Sequence, residues 1–326
     1  MASQRPDQYG EGEHLQAFES EIAALLGHAK GLFFQSGTMA QLIAARIVTD
    51  QKQHQYIGYH PLCHLEIHEE KSYQHLHGLQ SVLIGDKSRL ITKQDLLDIK
   101  TLPAFVLLEL PQREIGGQLP VWDELVWQVQ FLQEKGVHVH LDGARLWECA
   151  PFYQKSYAEI ASLFDSAYVS FYKGIGAIAG AALVGKEDFI CQAKIWNRRH
   201  GGNLITAFPL YLAAKKNMEK RLHNFQAYYA KTQDIAEAVA TIENIEIRPS
   251  IPQVNMFHVW IKADRKRLIE NAVRIAQEKG IWGLAHVATT VDPAVQKLEL
   301  YIGDGAMEIA TSDIKDLLSQ WISGSC

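Results

Sequence analysis

Two stretches between residues 137 and 185 constrain this chain more than any other part of it. Residues 137–141 (VHVHL) form an apolar run that stops abruptly at Asp142-Gly143-Ala144-Arg145, and residues 167–171 (AYVSF) stop at Tyr172-Lys173-Gly174. Short apolar runs bounded by glycines, with a helix-length segment between them, read as buried strands of an α/β sheet. A carboxylate and an amine then stand at the carboxyl ends of two neighbouring strands, where open α/β sheets bind ligands.

The amine is the more telling group. Lys173 lies in a run, 167–185, with almost no other charge. Apolar surroundings disfavour an ammonium, which would make the lysine a nucleophile or Schiff-base former. Taken alone, a lysine snorkelling out of a strand end explains the pattern as well. The aspartate tips the balance. Pyridoxal phosphate needs a lysine to hold its aldehyde and a carboxylate to keep its pyridine nitrogen protonated.

The motifs HxDGAR at 140–145 and KGxGAxxGxxLVG at 173–185 resemble the threonine aldolase and β-eliminating lyase group of pyridoxal-phosphate enzymes. The resemblance runs from about Tyr9 to the C-terminus. It implies fold type I, the aspartate-aminotransferase type: an α/β fold with a mostly parallel central sheet flanked by helices, and a smaller C-terminal α+β domain. The boundaries expected are 1–240 for the large cofactor-binding domain, with 1–13 as loop, and 241–326 for the small one.

Bulk properties narrow the function classes. The chain has 326 residues, 47% hydrophobic and 21% charged, with a formal net charge of −5. That length suits one large domain plus a smaller one. The charge gives no electrostatic reason to expect nucleic acid or an anionic membrane as a partner. Cys63, Cys149, Cys191 and Cys326 show no paired spacing. Cys149 and Cys191 sit in apolar contexts, so reduced thiols in a cytoplasmic enzyme are expected. No apolar run reaches the roughly 18 residues of a membrane span, and the polar start is unlike a signal peptide.

Several segments carry candidate site residues. Residues 31–34 read as a strand turning through Ser36-Gly37-Thr38 into an amphipathic helix. Free N–H groups at a helix start suit a phosphate, although an ordinary N-cap gives the same spacing. The resemblance implies that Gly37 and Thr38 hold the cofactor phosphate. Histidines crowd 54–77, and His60, His64 and His68 would share one face of a helix. Metal is disfavoured there, because Pro61 restrains the helix start and no fourth ligand is evident. His64 with Glu69 instead matches the family's HxxxxE, where the histidine stacks on the pyridine ring and moves protons. Residues 79–84 and 104–110 read as further buried strands. The second leads to Glu109 and Gln112, where the family has Glu-Asn-Thr-His. Glutamine cannot accept a proton as histidine can.

A helix over 186–199 ends in Arg198-Arg199-His200-Gly-Gly. The family's cation before Gly-Gly reaches the cofactor phosphate across a dimer interface. Arg198 fits that role by spacing, and Arg199 or a plain surface helix end are the other readings. Residues 207–242 read as a long, broken helix joining the domains. The strands and helices after it make the small domain.

The resemblance implies a lyase that cleaves a β-hydroxy amino acid to glycine and an aldehyde through a Lys173 Schiff base. Asp142 would pair with the ring nitrogen and His64 would take the β-hydroxyl proton. Arg145 would contact the cofactor site and grip the substrate carboxylate. A homodimer or homotetramer with shared active sites follows from the same likeness. The departures bear on substrate. The family's N-terminal serine-aspartate stretch is not matched, Gln112 replaces a histidine, Tyr172 stands where serine is usual, and no substrate arginine is found near the C-terminus. β-Elimination or racemisation of another amino acid is therefore the alternative, followed by a catalytically altered protein that keeps the fold. No strand is followed by GxGxxG, which disfavours a nicotinamide site.

Overall fold

The computed structural model describes residues 6–281 and 286–323. The expected loop over 1–5 and Cys326 lie outside them. The chain divides into two compact units. One takes residues up to 112 together with 119–223; the other takes 113–118 and everything from 224 on.

The first unit begins with α1 (Glu13–Leu25), then β1 (Lys30–Phe34) and α2 (Gly37–Lys52). β2 (Tyr56–Tyr59) follows, then the short helices α3 (His64–Ile67) and α4 (Ser72–His77), and β3 (Gln80–Leu83). Next come α5 (Lys93–Leu97), β4 (Phe105–Glu109), α6 (Trp122–Glu134) and β5 (His138–Gly143). α7 (Ala150–Tyr153) and α8 (Tyr157–Ala161) lead to β6 (Ser166–Ser170), β7 (Ala181–Gly185), α9 (Glu187–Arg199) and α10 (Phe208–Arg221). The strands form one seven-stranded sheet in the order β1-β7-β6-β5-β4-β2-β3. β7 runs antiparallel to both β6 and β1, and the other pairings are parallel. A parallel sheet covered on both faces needs strands apolar throughout. β4, β5, β6 and β7 are accordingly buried along almost their whole length.

α2 is the helix that fixes the centre of this unit. Residues 40–45 and 47–49 are all buried. Ala40, Ala44 and Ala45 let the helix lie close, and they join Phe34, Tyr59, Phe105, Tyr168 and Leu183 in one cluster. Burying each large side chain there contributes about 1.5–3 kcal/mol.

Three expectations are corrected. The segment expected as a buried strand over 79–84 is the edge strand β3, whose Leu83 is 51% exposed, while Leu79 and Ile84 at its ends are buried. An edge strand lacks one neighbour, so its flanks rather than its body meet the core. His60, His64 and His68 do not share a helical face, because α3 is a single turn that begins at His64. His60 Nε2 instead donates to the carbonyls of Asp86 and Arg89 at 3.0 and 2.9 Å. Cys191 is exposed on α9, although Cys63 and Cys149 are buried.

The second unit holds α11 (Phe225–Val239), β8 (Ile245–Arg248), β9 (Met256–Lys262) and α12 (Arg265–Lys279). It ends with β10 (Ala288–Thr289), β11 (Val295–Tyr301), α13 (Asp304–Met307) and α14 (Thr311–Ser323). Its four strands are antiparallel in the order β10-β11-β9-β8. Phe257, Val259 and Ile261 alternate inward along β9, and with Ile235, Leu268 and Trp321 they form a separate core. A mostly parallel sheet in the first unit and an antiparallel one in the second are the α/β plus α+β composition read from the sequence. Among the described residues no helix is long and apolar enough to cross a membrane. Among the described residues no cluster of three or more His, Cys, Asp or Glu is placed to hold a metal.

Candidate active site

β4, β5 and β6 are parallel neighbours, so their carboxyl ends lie together. Glu109 pairs in register with Asp142, and Asp142 with Tyr168. Paired residues of adjacent strands share a face, so Glu109, Asp142 and Tyr168 form one row. Asp142 is 2% exposed. A carboxylate this deep needs donors, and it has two. The backbone N–H of Ala144 donates to Oδ1 at 3.0 Å, and Gln41 Nε2 on α2 donates to Oδ2 at 3.1 Å. Gln41 is the site residue that sequence reasoning missed. Its signal was a lone amide inside an apolar helical run, MAQLIAA.

Lys173 lies in the loop after β6. It is half-buried, and its Nζ is 5.9 Å from the centroid of the Tyr172 ring. The loop is tightly held. Gly176 N–H donates to the Lys173 carbonyl, Ala177 N–H to the Phe171 carbonyl and Phe171 N–H to the Gly180 carbonyl. Gly176 has φ +70°, and a Cβ there would collide with the Arg221 guanidinium, which donates to the Ile175 carbonyl at 2.8 Å. The positive φ favours glycine at this turn, and a larger residue would also displace the Arg221 side chain.

Gly37 and Thr38 open α2. Ser36 stands at the N-cap with extended backbone, yet its side chain makes no capping bond. A Cβ on Gly37 would lie 2.0 Å from the Tyr168 hydroxyl. The helix start and the end of β6 are thus pressed together at glycine contact, with N–H groups not covered by a side-chain cap. Such a terminus, with its dipole, suits a phosphate.

His64 is the first residue of α3. Its Nδ1 donates to Glu69 Oε1 at 2.8 Å, and the Glu69 side chain is 2% exposed against 40% for His64. A carboxylate holding Nδ1–H leaves Nε2 as the basic nitrogen and fixes the ring. Cys63, just before it, is fully buried among Glu109, Asp142 and Glu69, and burial pushes its thiol well above the usual range. Arg145 follows β5. Its Nε is 4.0 Å from Glu148 Oε1, and the two side chains are 13% and 0% exposed. Gln112 is buried and donates to Glu109 Oε2 at 2.8 Å.

Arg198 stands elsewhere. It lines a cavity of about 580 Å³ with Arg199, Lys194, Gln35 and the Tyr9–Glu11 turn; neither Lys173 nor Asp142 borders it. Arg199 lies over the Trp196 ring at 4.5 Å. The cavity adjoins α2 through Gln35, whose amide donates to the Gly202 carbonyl. Pyridoxal phosphate fits the first group of residues on chemistry. Asp142 is a buried carboxylate at the height of a half-buried lysine loop, and the uncapped start of α2 closes against Tyr168 on the same row.

A family model described as beta-eliminating lyase matches residues 2–262. A solved structure from Listeria monocytogenes EGD-E, described provisionally as an L-allo-threonine aldolase, is 41% identical with a TM-score of 0.94, covering 99% of this chain and 90% of that one. The low specificity L-threonine aldolase of Escherichia coli (strain K12) is 27% identical over 251 residues, 72% of this chain and 73% of its own length. Sphingomonas wittichii serine palmitoyltransferase, at 15% identity and a TM-score of 0.71 over 96% of this chain and 77% of that one, shares the fold alone. With a family match that runs through both cofactor motifs and a near-complete structural superposition, the chain belongs to the beta-eliminating lyase family, among pyridoxal-phosphate enzymes of fold type I whose members here are threonine-aldolase-like.

Proposed function

We propose that this chain is a pyridoxal-phosphate lyase that cleaves a β-hydroxy amino acid to glycine and an aldehyde. The observation that carries the reading is the row of Glu109, Asp142 and Tyr168 at the strand ends, with Gln41 of α2 bonded to Asp142 and the uncapped start of α2 against Tyr168, together with Lys173 in the loop after β6. The bound cofactor supplies an electron sink for negative charge at the amino-acid α-carbon.

The chain's own residues do the rest. Lys173 would hold the cofactor through its amine. Asp142, with its two hydrogen-bond donors, would pair with the ring nitrogen and keep a proton there. Gly37 and Thr38 bind the phosphate with backbone N–H groups, and Arg198 contributes a cation across a two-fold interface between copies of this chain. Arg145 grips the substrate carboxylate with its fork of donors. His64 Nε2 takes the proton of the β-hydroxyl, with Glu69 holding the other nitrogen. A dimer or tetramer with shared sites is part of the proposal.

The test is an absorbance spectrum of the purified protein, with Lys173→Ala beside it, and product analysis on threonine and its stereoisomers. A visible cofactor band that vanishes in the variant, with glycine and acetaldehyde as products, is the expected result. 2-Oxobutyrate with ammonia would move the reaction to β-elimination. Gln112, bonded to Glu109 where the family carries a histidine, is the observation that favours that second reading. No band after adding cofactor would overturn both.

A further inference from the structure

His64 rides on a segment that its own backbone supports poorly. α3 is a single turn of four residues, and a lone turn is too short to persist by its internal hydrogen bonds. Two consecutive non-glycine residues in the left-handed region follow it, Glu70 at φ 51° and Lys71 at φ 53°. Strain of this kind persists only where the surroundings hold it, and it gathers at functional sites. The buried Cys63 and Leu65 pin one edge of the turn. Glu66 holds the other. Its Oε2 accepts the Tyr59 hydroxyl from the end of β2 and the Tyr73 hydroxyl from α4, both at 2.9 Å. Lys71 Nζ stands 3.4 Å from the other carboxylate oxygen. Tyr59 and Tyr73 are both buried, and burial pushes the Tyr59 phenol far above its ordinary range, so it stays a neutral donor. A second carboxylate completes the frame. Glu69 takes His64 Nδ1–H at 2.8 Å and the Ser72 hydroxyl at 3.3 Å.

We propose that Glu66 is a positioning residue for His64: through two buried phenols it fixes the one-turn helix at the angle that aims Nε2 at the β-hydroxyl. The two carboxylates divide the work. Glu69 sets which nitrogen is basic, and Glu66 sets where that nitrogen points. One oxygen at position 66 accepts from both phenols at once, which its two lone pairs allow. Without it, two phenols are buried without that acceptor, and the turn relaxes with the strained pair at 70 and 71. This role rests on the reading of His64 as the base for the β-hydroxyl.

Two reactions of the holoenzyme, measured side by side, test this: cleavage of threonine, and exchange of the glycine α-proton in deuterium oxide. Glycine has no β-hydroxyl, so exchange uses the cofactor and Lys173 without calling on His64 as that base. Glu66→Ala is expected to lower cleavage by about 10- to 100-fold, the size of a misplacement of about 1 Å, while exchange and cofactor affinity stay within about twofold. Glu66→Gln keeps an oxygen for both phenols and should restore most of the rate. Tyr59→Phe and Tyr73→Phe each remove one donor with the ring kept. They should give smaller losses of the same kind, and they serve if Glu66→Ala does not fold. In a His64→Ala background Glu66→Ala should cause no further loss, because the two act as one unit. Cleavage and exchange that fall together would make Glu66 a support of the whole site and overturn the proposal. So would unchanged cleavage, or a full further loss in the His64→Ala background. A wild type that binds cofactor but cleaves no β-hydroxy amino acid, or a His64→Ala variant as fast as wild type, would instead refute the assignment of His64, and this role with it.

Discussion

Replacing Glu19 by glutamine should make the protein more stable at pH 8 and leave it almost unchanged at pH 5. Burial pushes the Glu19 carboxyl up from 4.5 to about 7, and the Phe33 N–H and Lys194 oppose that rise only in part. The unfolded chain releases the proton near 4.5, and the folded chain keeps it until about 7. The folded state therefore binds more protons between these values, so stability falls as pH rises through that window. The contribution is complete below pH 4.5 and lost above 7. At 1.36 kcal/mol for each pH unit of displacement, the loss is about 3 kcal/mol. Because Glu19 borders a cavity, that is an upper figure.

Glutamine keeps an acceptor for the Phe33 N–H and carries no charge at any pH. The difference between wild type and Glu19→Gln isolates the group, since every other titration is common to both proteins. Thermal midpoints at pH 5, 6, 7 and 8, with cofactor saturating throughout, should diverge by roughly 5 °C at the alkaline end, the variant being higher. A difference that stays constant with pH, or a wild type that gains on the variant as pH rises, would refute the claim that Glu19 is held in a poorly solvated site.

Gly37→Ala places a methyl 2.0 Å from the Tyr168 hydroxyl, and overpacking of this kind costs about 1–3 kcal/mol. Adding Tyr168→Phe should recover only part of the lost melting temperature and cofactor affinity, because a ring carbon remains at 2.5 Å. Full affinity in the single variant would show that α2 and β6 do not meet as described. Gln41→Leu removes a donor from Asp142 and should loosen the cofactor by about tenfold, as read by fluorescence titration, in line with roughly 1.5–3 kcal/mol for a bond to a charged group. Unchanged affinity would mean that Asp142 does not touch the cofactor. Gln112→His should raise glycine formation from threonine by about tenfold or more, within the range of a positioned base. No gain in the coupled acetaldehyde assay would place the altered specificity at another residue.

What the sequence displayed and what it hid follow from the range of the interactions. β4, β5 and β6 are legible because both their faces are covered, so nearly every residue is apolar and the polar stops at Asp142 and Lys173 stand out. β3 is misjudged because an edge strand keeps the same residue types without the burial. Cys191 follows Ile190, which faces the core, but one step along a helix turns the thiol to solvent; local hydrophobicity does not resolve that angle. The histidines at spacing four promise a helical face that Pro61 and the single turn of α3 never build. The site is the least local feature of all. Gln41 meets Asp142 from 101 positions away. Gly37 meets Tyr168 only because α2 crosses the end of β6. The cavity of Glu19 draws on the turn before α1, α1 itself, the strand before α2, the end of α9 and the segment after it, five stretches with no shared motif. Motifs therefore mark where reacting groups enter the fold. The residues that set their charge and position are chosen by packing, and variants of Gln41, Tyr168 and Glu19 separate that second set from the first.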